Sequence, residues 1–243
     1  MRQSLFEIVS NRNLCTNTWE MVLRGDTSAI TAPGQFVQLL LDNHYLRRPI
    51  SVCDVRGDLL TLVYKVVGSG TADMSCYAAS KKIDVLTGLG NGYDLSKSGD
   101  RPLLLGGGAG VPPMLYLAGQ LIAQKKHVTA ILGFNTKEEI FYREEFEALG
   151  AETIIATADG SVGVKGFVTD AMQGLEYTAT FACGPEPMLK AVYNASKTTG
   201  QYSFEERMGC GFGACMGCSC QTKYGTKRIC KDGPVLTKEE IVW

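Results

Sequence analysis

Net charge is almost absent from this sequence. Its 24 basic residues stand against 25 acidic ones, leaving −1 at neutral pH. The basic pairs Arg47-Arg48, Lys81-Lys82 and Lys125-Lys126 are scattered, so no cationic stripe exists and no nucleic-acid partner is expected. Histidine is scarce: His44 and His127 are the two in 243 residues. They fall at a strand end and a strand start and form no general-base constellation. The first residues, "MRQSLFEIVSNRNLC", lack a charged-then-apolar leader, which leads us to expect a cytoplasmic protein. Long apolar runs are missing with one exception, "LLLGGGAGVPPMLYLAGQLIA" at 103–123, which carries no charge. Its length would qualify for a membrane span. Five glycines and two prolines within it instead predict strand, loop and helix, and no membrane partner is expected.

What the sequence does have is cysteine, nine residues of it, and 28 glycines. In a reducing compartment a disulfide framework is not expected, and clustered cysteines hold metal or do redox chemistry. The 45% hydrophobic and 20% charged composition is that of a globular chain.

Three stretches differ in texture. Up to residue 98, six short segments are β-branched or alternating and separated by turn residues: "FEIVSN", "TWEMVLR", "QFVQLLL", "ISVCDV", "LLTLVYKVV" and "KIDVLT". They predict a small closed antiparallel barrel, with one helix in "GTADMSCYAA". From 99 to 200, apolar runs alternate with helical periodicity, the pattern of a parallel sheet with helices on its faces. The remaining stretch, 201–243, is too short for a core of its own. Its sulfur is expected to hold it together.

Within "ERMGCGFGACMGCSC", Cys210, Cys215 and Cys218 are spaced C-x4-C-x2-C, and Cys230 follows after eleven further residues. This is the plant-type ferredoxin spacing for a 2Fe–2S cluster. Thiolates are soft ligands suited to iron–sulfur cores. Gly209, Gly211, Gly213 and Gly217 would let the backbone close around the core and aim N–H groups at its sulfides. A structural zinc site is the alternative, in a non-catalytic binding module. It normally takes two C-x2-C knuckles, and only 215 and 218 have that spacing. Cys220 is read as a packing residue.

A 2Fe–2S cluster moves single electrons, and a flavin is the converter to a two-electron carrier. Arg48-Pro49-Ile50-Ser51 opens a strand, where proline is tolerated; Arg48 could pair with a diphosphate and Ser51 could donate to it. Gly68 and Gly70, before a helix expected near Thr71, would present N–H groups to the same anion. Further on, Gly108-Ala109-Gly110-Val111-Pro112-Pro113 reads G-x-G-x-x-P at a strand-to-helix junction, a turn built for a pyrophosphate, with Gly108, Gly110 and Pro113 as the candidates. The loop "CGPEPML", Cys183 to Leu189, ends a later strand and leads into a helix. It offers Gly184 and Met188 to a nicotinamide nucleotide and puts Cys183 where its ring would arrive. Asp159 in "TADG" is read as a turn cap. No arginine follows "ILGFN" to clasp a 2′-phosphate, and Lys137 is a weak substitute, so NAD is favoured over NADP.

R-P-x-S, G-x-G-x-x-P and C-G-P in this order resemble the ferredoxin–NADP reductase superfamily. With "LGNGYD", "ATADGSVG" and the cysteine-rich end, the whole chain resembles the electron-transfer subunits of dihydroorotate dehydrogenase type B. That resemblance implies FAD on Arg48, Pro49, Ile50 and Ser51, then on Lys65, Val66, Val67, Gly70 and Thr71. Family members often carry arginine where Lys65 stands; lysine keeps the charge and loses the fork. It implies 2Fe–2S ligation by Cys210, Cys215, Cys218 and Cys230. It also implies a separate FMN-containing catalytic subunit that oxidises dihydroorotate, in a heterotetramer of two plus two. Electrons would pass from FMN through the cluster to FAD and on to NAD+, in pyrimidine biosynthesis. A subunit of an NAD(P)H–ferredoxin or sulfide-oxidising reductase shares these motifs and is the competing function.

Overall fold

A computed structural model describes residues 1–243. Strands β1 (Arg2–Cys15), β2 (Thr18–Arg24), β3 (Phe36–Leu40), β4 (Arg48–Arg56), β5 (Leu59–Lys65) and β6 (Lys82–Leu89) close into an antiparallel barrel in the order β1-β2-β5-β4-β3-β6. Period-2 alternation builds it: Met21 and Leu23, Val37 and Leu39, and Leu60 and Leu62 point into one shared core. A short helix, α1 (Ser69–Ser75), interrupts the strands between β5 and β6. It begins at Ser69, two residues ahead of the expected Thr71.

The α/β part follows as β7 (Pro102–Gly107), α2 (Val111–Ala123), β8 (Thr129–Phe134), α3 (Arg143–Leu149), β9 (Glu152–Thr157), β10 (Val164–Lys165), α4 (Val168–Ala171), β11 (Ala179–Cys183), α5 (Glu186–Ala195) and β12 (Gly200–Ser203). The uncharged segment at 103–123 is thus a strand, a turn and a helix, and no helix is long and apolar enough to cross a membrane. Beyond β12 come β13 (Ser219–Thr222), β14 (Gly225–Arg228), α6 (Ile229–Asp232) and β15 (Val235–Thr237).

The seven-stranded sheet has the order β10-β9-β8-β7-β11-β12-β15. All its pairings are parallel except β12 with β15. From β7 the chain moves outward through β8 and β9, then returns to the other side of β7 as β11. Strand order therefore reverses between β7 and β11, and a crevice opens beyond their carboxyl ends.

Sulfur is not the only thing that holds the last stretch. β15 completes the sheet, and Cys218, Ile229, Cys230, Leu236 and Ile241 share one hydrophobic core with Leu103, Leu105 and Tyr202 of the α/β part. Asn91 adds a two-way clasp from "LGNGYD": its Nδ2 donates to the Val235 carbonyl at 2.8 Å and its Oδ1 accepts from Val235 N–H at 3.1 Å. Tyr142 in α3's entry turn donates its hydroxyl to Glu20 of β2, which also accepts from Arg12 at 2.7 Å. Cys53 and Val63 of the barrel pack into the same core as Met114 and Leu117 of α2, so barrel and sheet meet through a buried apolar seam.

A glycine-lined cleft and a paired cysteine cluster

The crevice at the strand reversal is a cleft of 530 Å³. The G-x-G-x-x-P turn and the C-G-P loop form its floor, and they touch so closely that only glycine fits. A Cβ on Gly110 would lie 2.1 Å from the Cys183 carbonyl oxygen, and one on Gly107 would lie 2.4 Å from Met188 Sδ. Gly108, at φ +51, faces open space, as a position against which a pyrophosphate could rest must do. Lys65, Glu139, Gly184, Met188 and Glu205 line the same space.

Two of the candidate nucleotide contacts do not line this cleft. Pro113 is buried within the first turn of α2; its fixed φ suits that position, so it shapes the helix start and does not reach a ligand. Cys183 is 2% exposed and lies under the floor. Burial first, then the charge of Glu205, push its thiol up to about 12, which keeps it neutral at physiological pH. Glu205 lies at the cleft wall, where desolvation raises its carboxyl above the usual range. Asp159 accepts from Ser161 N–H at 2.9 Å and Ser161 Oγ–H at 2.6 Å, a turn cap.

Along the barrel, Arg48 at the start of β4 lies flat on α1. A Cβ on Gly70 would come within 2.4 Å of its Nε, so glycine is what admits the guanidinium. His44 braces it, in a role the sequence did not disclose. Arg48 can only donate, so its Nη2 donates to His44 Nδ1 at 2.9 Å, and His44 Nε2–H donates to Asp73 of α1 at 2.7 Å. Thr71 Oγ1 accepts from Val67 N–H at 2.9 Å and Gly68 N–H at 3.2 Å. That corrects one expectation: the Gly68 N–H is already taken and is not offered to an anion. Ile50 and Ser51 on β4 and Val66 after β5 are half-buried, and Val67 is 81% exposed, an apolar surface beside the arginine that suits a flat aromatic ring. Pro49 pairs with Gln38 of β3 and fixes the strand's approach. Lys65 does not join Arg48. It ends β5, faces the cleft, and its Nζ lies 3.9 Å from Glu139 Oε1.

The four cysteines of the expected cluster fall into two pairs, Cys210 beside Cys215 and Cys218 beside Cys230. Cys210 Sγ accepts from the N–H groups of Ala214 at 3.2 Å and Cys215 at 3.4 Å, and Cys218 Sγ accepts from Cys230 N–H at 3.4 Å. Gly211 at φ +77 and Gly213 at φ +90 make the loop turn this tightly. Arg228 pins it by donating to the Gly213 carbonyl at 3.0 Å while paired to Asp232. Burial would raise the Cys210 thiol, but the N–H groups of Cys215, Phe212 and Ala214 outweigh it and bring it down to about 6. Burial, the Cys218 sulfur and the charge of Cys210 drive Cys230 the other way, to about 12. Four such neighbours cannot all be thiolates without cations among them. The two-plus-two pairing would suit a two-iron core, with two protein sulfurs to each iron. Cys220, in β13 opposite Lys227, packs partly buried against the core shared with Cys218.

Comparison with known proteins agrees with this geometry. Residues 205–242 match the iron–sulfur cluster binding domain of dihydroorotate dehydrogenase B, and residues 104–194 match the oxidoreductase NAD-binding domain. The dihydroorotate dehydrogenase B (NAD(+)) electron transfer subunit of Geobacillus sp. (strain WCH70) is 43% identical, over 100% of this chain and 99% of its own length. This chain belongs to that family. The corresponding subunit of Fusobacterium nucleatum is 42% identical, with 96% of each chain covered. Among solved structures, an NADH-dependent reduced ferredoxin-NADP oxidoreductase studied for flavin-based electron bifurcation superposes with a TM-score of 0.90 at 29% identity, over 99% of this chain and 90% of that one. A ferredoxin NADP+ reductase from Neisseria gonorrhoeae with bound FAD and NADP superposes with a TM-score of 0.69 at 17% identity, over 80% of this chain and 90% of that one. The last likeness is one of fold.

Proposed function

We propose that this chain is the electron-transfer subunit of an NAD-linked dihydroorotate dehydrogenase, working with an FMN-bearing catalytic subunit in a two-plus-two heterotetramer. The paired cysteines carry this reading, because such an array beside a flavin-type barrel has no use in a simple two-electron reductase. When bound, the 2Fe–2S cluster supplies one-electron transfer and FAD the conversion to the two-electron chemistry of NAD+.

The chain's own residues position and insulate. Residues 1–98 hold FAD, with Arg48 and Ser51 on its diphosphate, Pro49, Ile50, Val66 and Val67 along its body, and Gly70 and Thr71 shaping the turn beneath. Residues 99–200 hold the nicotinamide nucleotide, with Gly108 and Gly110 under its pyrophosphate and Gly184 and Met188 toward its ring. Cys183 stays neutral under that ring and acts by fit. Residues 201–243 hold the cluster on Cys210, Cys215, Cys218 and Cys230. Its two sides differ. Cys218 and Cys230 are buried in the same hydrophobic core as Phe36, Leu86 and Leu89 of the barrel, an apolar surround on the side toward the flavin domain. Cys215 is exposed, and so are Phe212 at 44% and Met216 at 53%, the side on which the partner's FMN can approach. Preference for NAD is supported by Glu139, which lines the cleft after β8 and offers a carboxylate that would accept from a ribose hydroxyl and repel a 2′-phosphate.

Purification with the native partner and an assay of dihydroorotate-dependent NADH formation test this reading. NADH production that requires both subunits is expected. A complex that reduces NAD+ from another donor and ignores dihydroorotate would favour the ferredoxin or sulfide reductase function.

A further inference from the structure

The barrel wall under the cluster carries one residue that does not belong in an apolar seam. Along β3, Val37 and Leu39 face the barrel interior, while Phe36 faces outward into the core that contains Cys218 and Cys230. Gln38 shares Phe36's outward face by alternation. It pairs with Pro49 of the proposed flavin strand on one side and with Leu86 of β6 on the other. It is 0% exposed, yet neither Oε1 nor Nε2 has a hydrogen-bond partner.

A buried carboxamide with both ends unpaired is costly, and such groups in a folded protein point to a partner. The direction is set by Gly211, which follows Cys210. A Cβ there would lie 2.4 Å from Gln38 Cδ and Nε2 and 2.6 Å from Oε1. The amide is therefore pressed against the cluster loop, admitted by a missing side chain. Around Cys210 the loop already gathers N–H donors toward sulfur, and the Gln38 amide would extend that set from the barrel side.

We infer that Gln38 is a positioning residue for the cluster, its Nε2–H donating to a sulfur at the Cys210 corner once the iron–sulfur core is in place. This rests on the proposed cluster. The consequence is electronic as well as steric. A reduced cluster carries one more negative charge, so a donor to its sulfur stabilises the reduced form and raises its potential. Because the Gln38 backbone is laddered beside Pro49 while its side chain lies against Gly211, this one residue stands between the flavin strand and the cluster loop.

The test uses the full chain, reconstituted anaerobically with iron, sulfide and FAD, as wild type and as Gln38→Met, which keeps the length and removes the donor. Iron and labile sulfide in wild type are measured first; their absence would defeat the proposed function itself. With the cluster present, Gln38→Met is expected to lower its midpoint potential and move the g values of the reduced state. Wild type labelled with ¹⁵N in glutamine side chains should show nitrogen hyperfine coupling to the reduced cluster, lost in the variant. The metal-free variant should melt above metal-free wild type, with the order reversed in the loaded protein. An unchanged potential with no nitrogen coupling, or melting shifts of the same sign in both states, would make Gln38 a packing residue and overturn the inference. If Gln38→Met fails to take up a cluster, the coupling in labelled wild type decides alone: its presence supports the hydrogen bond and its absence refutes it.

Discussion

The cleft and the cluster loop are two binding sites built on opposite principles. The cleft is made of backbone, two glycine turns pressed together at the strand reversal, and its shape follows from the fold. The cluster site is made of side chains: three sulfurs on the loop at 210–218 and a fourth on α6, whose ionisation states oppose one another, one thiol held down by N–H groups and one pushed up by burial and neighbouring sulfur. A site of the first kind exists before its ligand arrives, whereas one of the second kind needs its ligand to settle the charge.

The sharpest way to separate them is Cys215→Ser. It should abolish the cluster's electron paramagnetic resonance signal and all transfer from the partner, while FAD-dependent oxidation of NADH by an artificial dye persists. Loss of dye reduction with FAD still bound would mean the sites are not separate. The reverse experiment is Gly110→Ala, which drives a methyl group into the Cys183 carbonyl. Overpacking of this kind costs about 1–3 kcal/mol, and thermal melting should fall accordingly. NAD(H) binding should weaken while iron and sulfide content stay at wild-type levels.

Arg48→Ala addresses the flavin side. Removing a charge-assisted partner of a diphosphate costs about 1.5–3 kcal/mol, or roughly 10- to 150-fold in FAD affinity. Titration of the apoprotein with FAD measures it, and His44→Ala should give a smaller loss of the same kind, since His44 acts only through Arg48. The smallest effect belongs to Cys220→Ser, which should leave the cluster signal unchanged. Its loss would reassign the ligands.

What could be read from the sequence was what is encoded locally. The barrel strands show in period-2 alternation, the sheet in apolar runs that precede helices, the cleft in glycines at fixed offsets, and the cluster in cysteine spacing. Contacts between distant positions could not be read. His44 reaches Asp73, Asn91 reaches Val235, Tyr142 reaches Glu20 and Gln38 meets Gly211, and no periodicity joins such pairs. Pro113 misled for a related reason: one motif serves both a ligand turn and a helix start, and spacing does not divide the two duties. The last stretch was expected to depend on sulfur because its length was judged alone, although β15 and Ile241 lean on a core supplied by the neighbouring sheet.

The central claim is that this chain joins a one-electron centre to a two-electron carrier through a flavin, and an anaerobic NADH titration of the reconstituted chain tests it most directly. The account predicts two iron and two labile sulfide per chain, flavin absorbance, and a reduced 2Fe–2S signal that grows as NADH is added. Zinc in place of iron, or a flavin that loses its colour while the cluster stays oxidised, would contradict it.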